Sequence, residues 1–280
     1  MPEPQFPFAS WSQRVPDQWA IVTGASSGIG AAIAEELAAR RWSVVLIGRD
    51  EQALARQAAK LTPQGVRALT IAADLSTSEG LARVHARLAE AKLPVAALVN
   101  NAGFGLHAPF EATASADEAR MIDLQLKAML ELTKCCLPGM RERKHGYVLN
   151  VASVYAYSPV PQQAVYAACK AFMLSFSRTL ALELDGSGVS VTALCPGITQ
   201  TNFRARAGMK EKRSAFGLSA AEVARIAVRG MLRGKLVVVP GWGNTLYVCC
   251  ARWLPAGLLG RFTRWFNRRR GLTPHAGEKA

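Results

Sequence analysis

Tyr166 and Lys170 stand four residues apart in a stretch, 161–185, that reads as a helix. Ala164, Ala167, Ala168, Ala171, Phe172, Leu174, Phe176, Leu180, Ala181 and Leu184 give it an apolar stripe. On a helix, positions i and i+4 lie one above the other on the same face. Upstream, Ser153 follows the short apolar run Tyr147-Val148-Leu149-Asn150-Val151, which has the length of a buried strand. A phenol with a free pKa near about 10 is a poor acid or base at neutral pH. A lysine cation held beside it favours the phenolate, and a serine hydroxyl at the same point can hydrogen-bond a carbonyl oxygen. Together the three side chains could move one proton on or off an alcohol or ketone oxygen. Such a device needs a hydride carrier.

The elements around these residues alternate strand and helix. Strands are expected at 19–22, 44–47, 67–72, 95–99, 147–151, 189–194 and 236–239. Helices are expected at 33–40, 50–61, from 76 to about 91, from 115 to about 143, at 161–185 and from 219 onward. Ser76-x-x-Glu79, Ser115-x-x-Glu118 and Ser219-x-x-Glu222 read as capping boxes. Strands and helices alternating at this spacing imply an α/β, Rossmann-type, doubly wound parallel sheet in a single domain.

In such sheets the loops after the strands carry ligands. Thr23-Gly24-Ala25-Ser26-Ser27-Gly28-Ile29-Gly30 follows a strand and opens a helix. Its amides would face a pyrophosphate at the helix N-terminus. After the second strand, an acidic residue would hold a ribose 2′-hydroxyl and repel a 2′-phosphate. The sequence instead has Gly48-Arg49-Asp50, and Arg49 can pair with a phosphate. NADP(H) is therefore expected over NAD(H), the alternative being that Arg49 is a solvated charge and Asp50 a helix cap.

In order and spacing, four stretches resemble the short-chain dehydrogenase/reductase family over residues 18–240. They are Thr23–Gly30, Asn100-Asn101-Ala102-Gly103, Ser153 with Tyr166-x-x-x-Lys170, and Pro196-Gly197. The resemblance implies NAD(P)(H) binding and alcohol/ketone oxidoreduction. It implies Tyr166 as proton donor or acceptor, Lys170 as the residue that lowers its pKa and bonds the nicotinamide ribose, and Ser153 as the group that polarises the substrate carbonyl. For the cofactor it implies Gly24, Ser26, Ser27, Gly28, Ile29 and Gly30 at the phosphates, with Arg49. Asp74 and Leu75 would bracket the adenine. Asn101, Ala102 and Gly103 would line the site past the fourth strand, and Pro196, Gly197, Ile198 and Thr199 would hold the nicotinamide end. At the catalytic position in the long helix where the family usually has Asn, this chain has Gln125: either the proton relay to the lysine is rebuilt or lost, or, the reading preferred, Gln is a tolerated replacement. Cys169 reads as a small buried residue, His107 as outside the site, and His85, His145 and His275 as solvent-facing.

Composition bounds the rest. The chain has 280 residues and a formal net charge of +14. Residues 204–213 set five cations against Glu211, and residues 261–280 set six against Glu278, so nine of the fourteen charges lie in two patches. Patches confined to a loop and a tail, with no stacking platform or reading helix, argue against nucleic acid. The six cysteines form no C-x-x-C pair, which fits neither a disulfide framework nor a zinc site and suits a cytoplasmic protein. No metal is expected. Residues 1–17, with four prolines, read as a mobile arm, and the basic stretch after Thr199, with Phe203, Met209 and Phe216, as a flap over the substrate. Tyr155, Tyr157, Pro159 and Val160 are expected on the opposite wall.

Residues 241–280 read as a basic amphipathic helical extension. Leu258, Leu259, Phe262, Trp265 and Phe266 share one arc, with Arg261, Arg264 and Arg268 on another. That helix either packs on the protein or a subunit interface, or lies peripherally on an anionic membrane. The expected function is NADP(H)-dependent interconversion of a hydrophobic or lipid-like ketone and a secondary alcohol. The expected partners are a small-molecule substrate and further copies in a dimer or tetramer. A weakly catalytic, NADP(H)-responsive binding protein is the rival reading.

Overall fold

The computed structural model describes residues 18–201, 203 and 217–269. The N-terminal arm, the basic stretch 204–213 with Met209 and Phe216, and the tail with His275 lie outside the described residues. The chain runs β1 (Trp19–Thr23), α1 (Gly28–Ala39), β2 (Ser43–Gly48), α2 (Glu51–Leu61), β3 (Ala68–Ala72), α3 (Ser78–Ala91) and β4 (Val95–Asn100). It continues through α4 (Ser115–Ile122), α5 (Ala128–Glu142), β5 (Gly146–Val151), α6 (Ala164–Glu183) and β6 (Val189–Leu194). Then come β7 (Thr199–Gln200), β8 (Leu218–Ser219), α7 (Ala220–Leu232), β9 (Val237–Val238), α8 (Trp242–Trp253) and α9 (Ala256–Arg269).

Seven strands form one parallel sheet in the order β3-β2-β1-β4-β5-β6-β9. The strands are short apolar runs because both faces are covered. Along β1 and β2, Ala20, Val22, Val44 and Leu46 join the core on one face. Trp19, Ile21, Val45 and Ile47 join the core on the other. Each such buried Leu, Ile or Val stabilises the fold by about 1.5–3 kcal/mol. The order reverses between β1 and β4, which opens a crevice at the carboxyl ends of the strands.

The sheet's carboxyl end also carries polar groups that hold the helices in place. The buried Asn100 amide donates to Asn150 Oδ1 at 2.8 Å and to Thr133 Oγ1 at 3.3 Å, and Asn150 donates to Ser177 Oγ at 2.9 Å. These bonds tie β4 and β5 to α5 and α6, the helix that carries Tyr166 and Lys170.

Local details depart from the expected ones for identifiable reasons. The first helix begins at Gly28, five residues before the apolar periodicity starts, because the glycine turn itself winds into it. Ser219 and Glu222 form the expected capping box. Ser76 does not cap α3: its hydroxyl and amide bond Asp74 Oδ1, and Thr77 caps instead. Ser115 does not cap either, since Ala114 holds that place and Glu118 bonds Thr113. The long helix is broken by a π-turn, Asp123–Lys127, that spans Gln125. The C-terminal extension is two helices rather than one, parted at Leu254-Pro255, where proline cannot continue α8. The expected apolar arc is divided in α9: Leu259 is buried, whereas Leu258 and Trp265 are exposed. The side chains of Phe262 and Phe266 lie outside the description. His85 and His145 are half-buried rather than solvent-facing.

Candidate active site

The crevice is a cleft of about 1750 Å³, larger than the roughly 300–1,000 Å³ that holds a drug-sized ligand. One end is the turn between β1 and α1. Gly24 has a φ of +65°, and a Cβ there would lie 2.8 Å from Asn101 Nδ2 and 3.0 Å from Ala102 Cα. The backbone thus closes on itself where a phosphate would need space beside it. The first turn of α1 contains no acidic residue and takes no side-chain cap, so its amides are directed at the cleft as an anion cradle.

Gly24, Ser26, Ser27, Gly28 and Ile29 line the cleft, as do Arg49, Asp74, Leu75, Asn101, Ala102, Gly103, Pro196, Gly197, Ile198 and Thr199. Gly30 does not. It lies beneath the turn, where a Cβ would meet Gly24 O and Asn101 Nδ2, each at 2.4 Å. Thr23 ties this end to the loop after β4. Its hydroxyl donates to Val99 O at 3.2 Å and accepts the amides of Asn101 and Ala102 at 2.9 and 3.0 Å.

Beyond β2 and β3 the cleft is lined by charged groups of both signs, Arg49 and Arg120 with Asp50, Asp74 and Asp117. Arg120 on α4 reaches Asp74 Oδ2 at 2.9 Å, and Arg49 lies 3.9 Å from the same oxygen. Partial burial pushes the Asp74 carboxyl up, but bonds from Ser76 and Arg120 outweigh it and hold the group below its usual range. Asp50 caps α2 by accepting from Ala53 N at 2.9 Å. Arg120 was not legible from the sequence, because it arrives from an element 46 residues away from Asp74.

Ser153, Tyr166 and Lys170 line one wall of the same cleft. Ser153 lies two residues past the end of β5, where it caps a short turn and its hydroxyl accepts the amide of Tyr155 at 3.2 Å. The Tyr166 phenol is buried near the Ser153 hydroxyl, and its ring packs 5.8 Å from that of Phe203. Lys170 Nζ donates to Val151 O at 2.9 Å and lies 5.5 Å from the Tyr166 ring centroid. The phenol is not lowered here as the sequence led us to expect. Burial drives it well above its ordinary value, with Tyr155 adding to the rise and only Ser153 opposing it. At neutral pH it is therefore a protonated acid.

Gln125 is buried but does not reach this wall. Its amide donates to Phe104 O at 2.8 Å, and its Oε1 has no hydrogen-bond partner among the described residues. It lines a separate cavity of about 10 Å³ behind the cleft. Cys169 is buried, as expected. His107 sits one residue back from the cleft, 3.3 Å from Gln163. Of the expected opposite wall, Tyr155 lines the cleft, whereas Tyr157, Pro159 and Val160 do not.

The extension supplies further lining that the sequence reading missed. Tyr247 on α8 bonds the Ser158 hydroxyl at 2.5 Å. Asn244 presses against Gly197, where a Cβ would lie 2.1 Å from its Oδ1. Thr263 of α9 reaches the cleft as well. An apolar face in the C-terminal sequence signals packing, yet nothing in it says against which loop.

A parallel sheet with a glycine turn at its switch point and a Ser–Tyr–Lys cluster on the adjoining wall defines a dinucleotide-dependent oxidoreductase. Residues 18–212 match the family described as short chain dehydrogenase, and the chain belongs to it. A curated relative, sulfoacetaldehyde reductase 2 of Chromohalobacter salexigens, is 38% identical over 65% of this chain and 73% of its own length. Several other relatives are matched over only 61–64% of theirs. Among solved structures, a short-chain dehydrogenase from Sphingobium yanoikuyae in complex with NADPH has a TM-score of 0.76 at 32% identity, covering 94% of this chain and 98% of that one. The bulky-bulky ketone specific alcohol dehydrogenase of Comamonas testosteroni has a TM-score of 0.72 at 29% identity, covering 94% and 96%. The anion cradle, the size of the cleft and the two arginines at its far end fit NADP(H), which is the favoured cofactor.

Proposed function

We propose that the chain is an NADPH-dependent reductase of bulky, hydrophobic ketones, running to the secondary alcohol and, in reverse, from it. The observation that carries this is the placement of Ser153, Tyr166 and Lys170 on one wall of the same cleft that the glycine turn Gly24–Ile29 and Arg49 line. NADPH, when bound, supplies the hydride. Tyr166 gives its proton to the carbonyl oxygen, Ser153 orients that oxygen, and Lys170 holds the ribose and favours the phenolate left behind. Burial keeps the phenol protonated before reaction, which suits reduction. Gly24, Ser26, Ser27, Gly28 and Ile29 would hold the phosphates, Arg49 the 2′-phosphate, and Asp74 with Leu75 the adenine. Asn101, Ala102 and Gly103 would line the middle, and Pro196, Gly197, Ile198 and Thr199 the nicotinamide end.

Phe104, Tyr155, Phe203 and Tyr247 line the substrate end, and an aromatic wall fits a bulky apolar ketone. A panel of aryl and small aliphatic ketones, followed by NADPH absorbance, is expected to show at least about tenfold higher kcat/KM for the bulky ones, as a few buried methylenes are worth. NADPH binding without turnover of any ketone would instead favour the weakly catalytic binding protein, the reading that the displaced Gln125 supports. A homo-oligomer, a dimer or tetramer, is proposed on the likeness to the family.

Arg49→Ala is expected to weaken NADPH binding roughly 10- to 100-fold, the worth of a charge-assisted bond, and to leave NADH binding unchanged. Fluorescence titration of both nucleotides reads this directly. Equal losses for both would remove Arg49 from the 2′-phosphate.

Lys170 offers a third test. Burial lowers its ammonium from 10.5 to about 8. Between those values the unfolded chain holds more protons, so stability rises with pH across that window. Lys170→Met is expected to lose turnover at least about a hundredfold. Without cofactor it should melt no lower than wild type at pH 7. Any margin in its favour should shrink from pH 8 to 10.5. Melting curves across pH give the sign, and a variant that melts far below wild type at pH 7 contradicts it.

A further inference from the structure

We propose that the outer face of α8 and α9 docks on an anionic lipid surface. α8 is apolar on two opposite sides. One side is buried through Val248 and Ala251. The other carries Trp242, Leu246, Cys249 and Trp253 at i, i+4, i+7 and i+11, a spacing that keeps them on one face. Trp242 is 85% exposed and Trp253 90%. α9 extends this surface with Leu258, Leu254 leads into it, and both are exposed. Single exposed apolar residues are ordinary, but a contiguous set on consecutive helices marks a contact surface.

Charge decides the occupant. Arg252, Arg261 and Arg264 are exposed on the same two helices. Between Glu222 and Glu278 the sequence contains no acidic residue. A second copy seated here about a two-fold axis would set this basic face against the same basic face, with no carboxylate from either helix to offset the charge. Anionic headgroups supply the missing counter-charge, and tryptophan and arginine are suited to the headgroup layer. No helix among the described residues is long and apolar enough to cross a membrane, so the helices would lie along the surface.

The same two helices wall the cleft through Asn244, Tyr247 and Thr263, and Trp242 stands at both surfaces. Docking would therefore bring the ketone end of the cleft to the bilayer. That last step rests on the proposed substrate class, whereas docking itself does not.

The test uses the full chain, sedimented with vesicles of phosphatidylcholine alone or mixed with phosphatidylglycerol. Wild type is expected to sediment with the mixed vesicles, less so at high salt, and not with phosphatidylcholine alone. A Trp253→Ser, Leu258→Ser double variant should lose about tenfold or more in binding, the scale of removing two apolar anchors. Its NADPH affinity should be unchanged, which shows that it folds. Arg261→Glu should lose binding to the mixed vesicles in the same way. Sedimentation with neither vesicle, or binding that the double variant retains, overturns the proposal. So does a wild-type dimer in light scattering that Trp253→Ser converts to a monomer without vesicle binding in either form. Because binding is read without a ketone, failure of the substrate reading leaves this outcome separately legible.

Discussion

Tyr166→Phe is expected to lower turnover about 10²- to 10⁴-fold, the usual worth of a positioned acid, with NADPH affinity within about twofold. The substitution removes one oxygen and keeps the ring. That ring holds its place by packing, buried against Phe203, so the wall keeps its shape. What is lost is a proton held beside Ser153 in surroundings that keep it on the phenol. Steady-state turnover of a bulky ketone, together with a fluorescence titration of NADPH, separates the two quantities. A loss of affinity comparable to the loss of turnover would mean a collapsed wall. Near-normal turnover would falsify the proton-transfer role.

Gly30→Ala is expected to damage both the fold and the nucleotide site. An added methyl would meet Gly24 O and Asn101 Nδ2 at 2.4 Å. Neither neighbour is a free chain end. Asn101 Nδ2 donates to Thr23 O at 2.9 Å and to Gly24 O at 3.4 Å, and Gly24 is itself fixed by its close approach to Ala102. Overpacking of this kind costs about 1–3 kcal/mol, so the melting temperature should fall by roughly 2–5 °C. NADPH affinity should drop by at least about tenfold, since a shift of the turn moves the amides off their aim. Gly186→Ala is the control. Gly186 also has a positive φ, +74°, but nothing lies within 4 Å of the added carbon. Its penalty is conformational alone, about 1 kcal/mol, and nucleotide affinity should not change. Equal effects of the two variants on affinity would detach Gly30 from the cradle.

What could be read in advance was what the chain writes over short spans. Tyr166 and Lys170 meet because a helix brings i and i+4 together, and the glycine turn lies between a strand and a helix that the apolar pattern already separates. β6 has its expected bounds, Val189–Leu194, because its apolar run is bounded by turn residues on both sides. Competition among local partners was harder to foresee. Ser76 could cap a helix, yet Asp74 takes its hydroxyl first and the cap passes to Thr77. The π-turn at Gln125 adds a residue to a helical turn without any change of composition. The least legible contributions come from far along the chain. Arg120 at Asp74 and Asn244 at Gly197 depend on how crossovers settle on the sheet, and no spacing in the sequence encodes that. The acidity of Tyr166 failed for a related reason: proximity to a cation was visible in sequence, but the depth at which the phenol is buried was not.

Thr23 has a consequence for how the two sides of the crevice respond to each other. One hydroxyl clamps the end of β1 to the loop after β4 at the point where the chain order reverses and a gap would otherwise open. The phosphate turn and the loop after β4 are thereby braced against each other through a single hydroxyl. A change in the position of Thr23 would therefore disturb the turn before α1 and the backbone at Asn101 and Ala102 together.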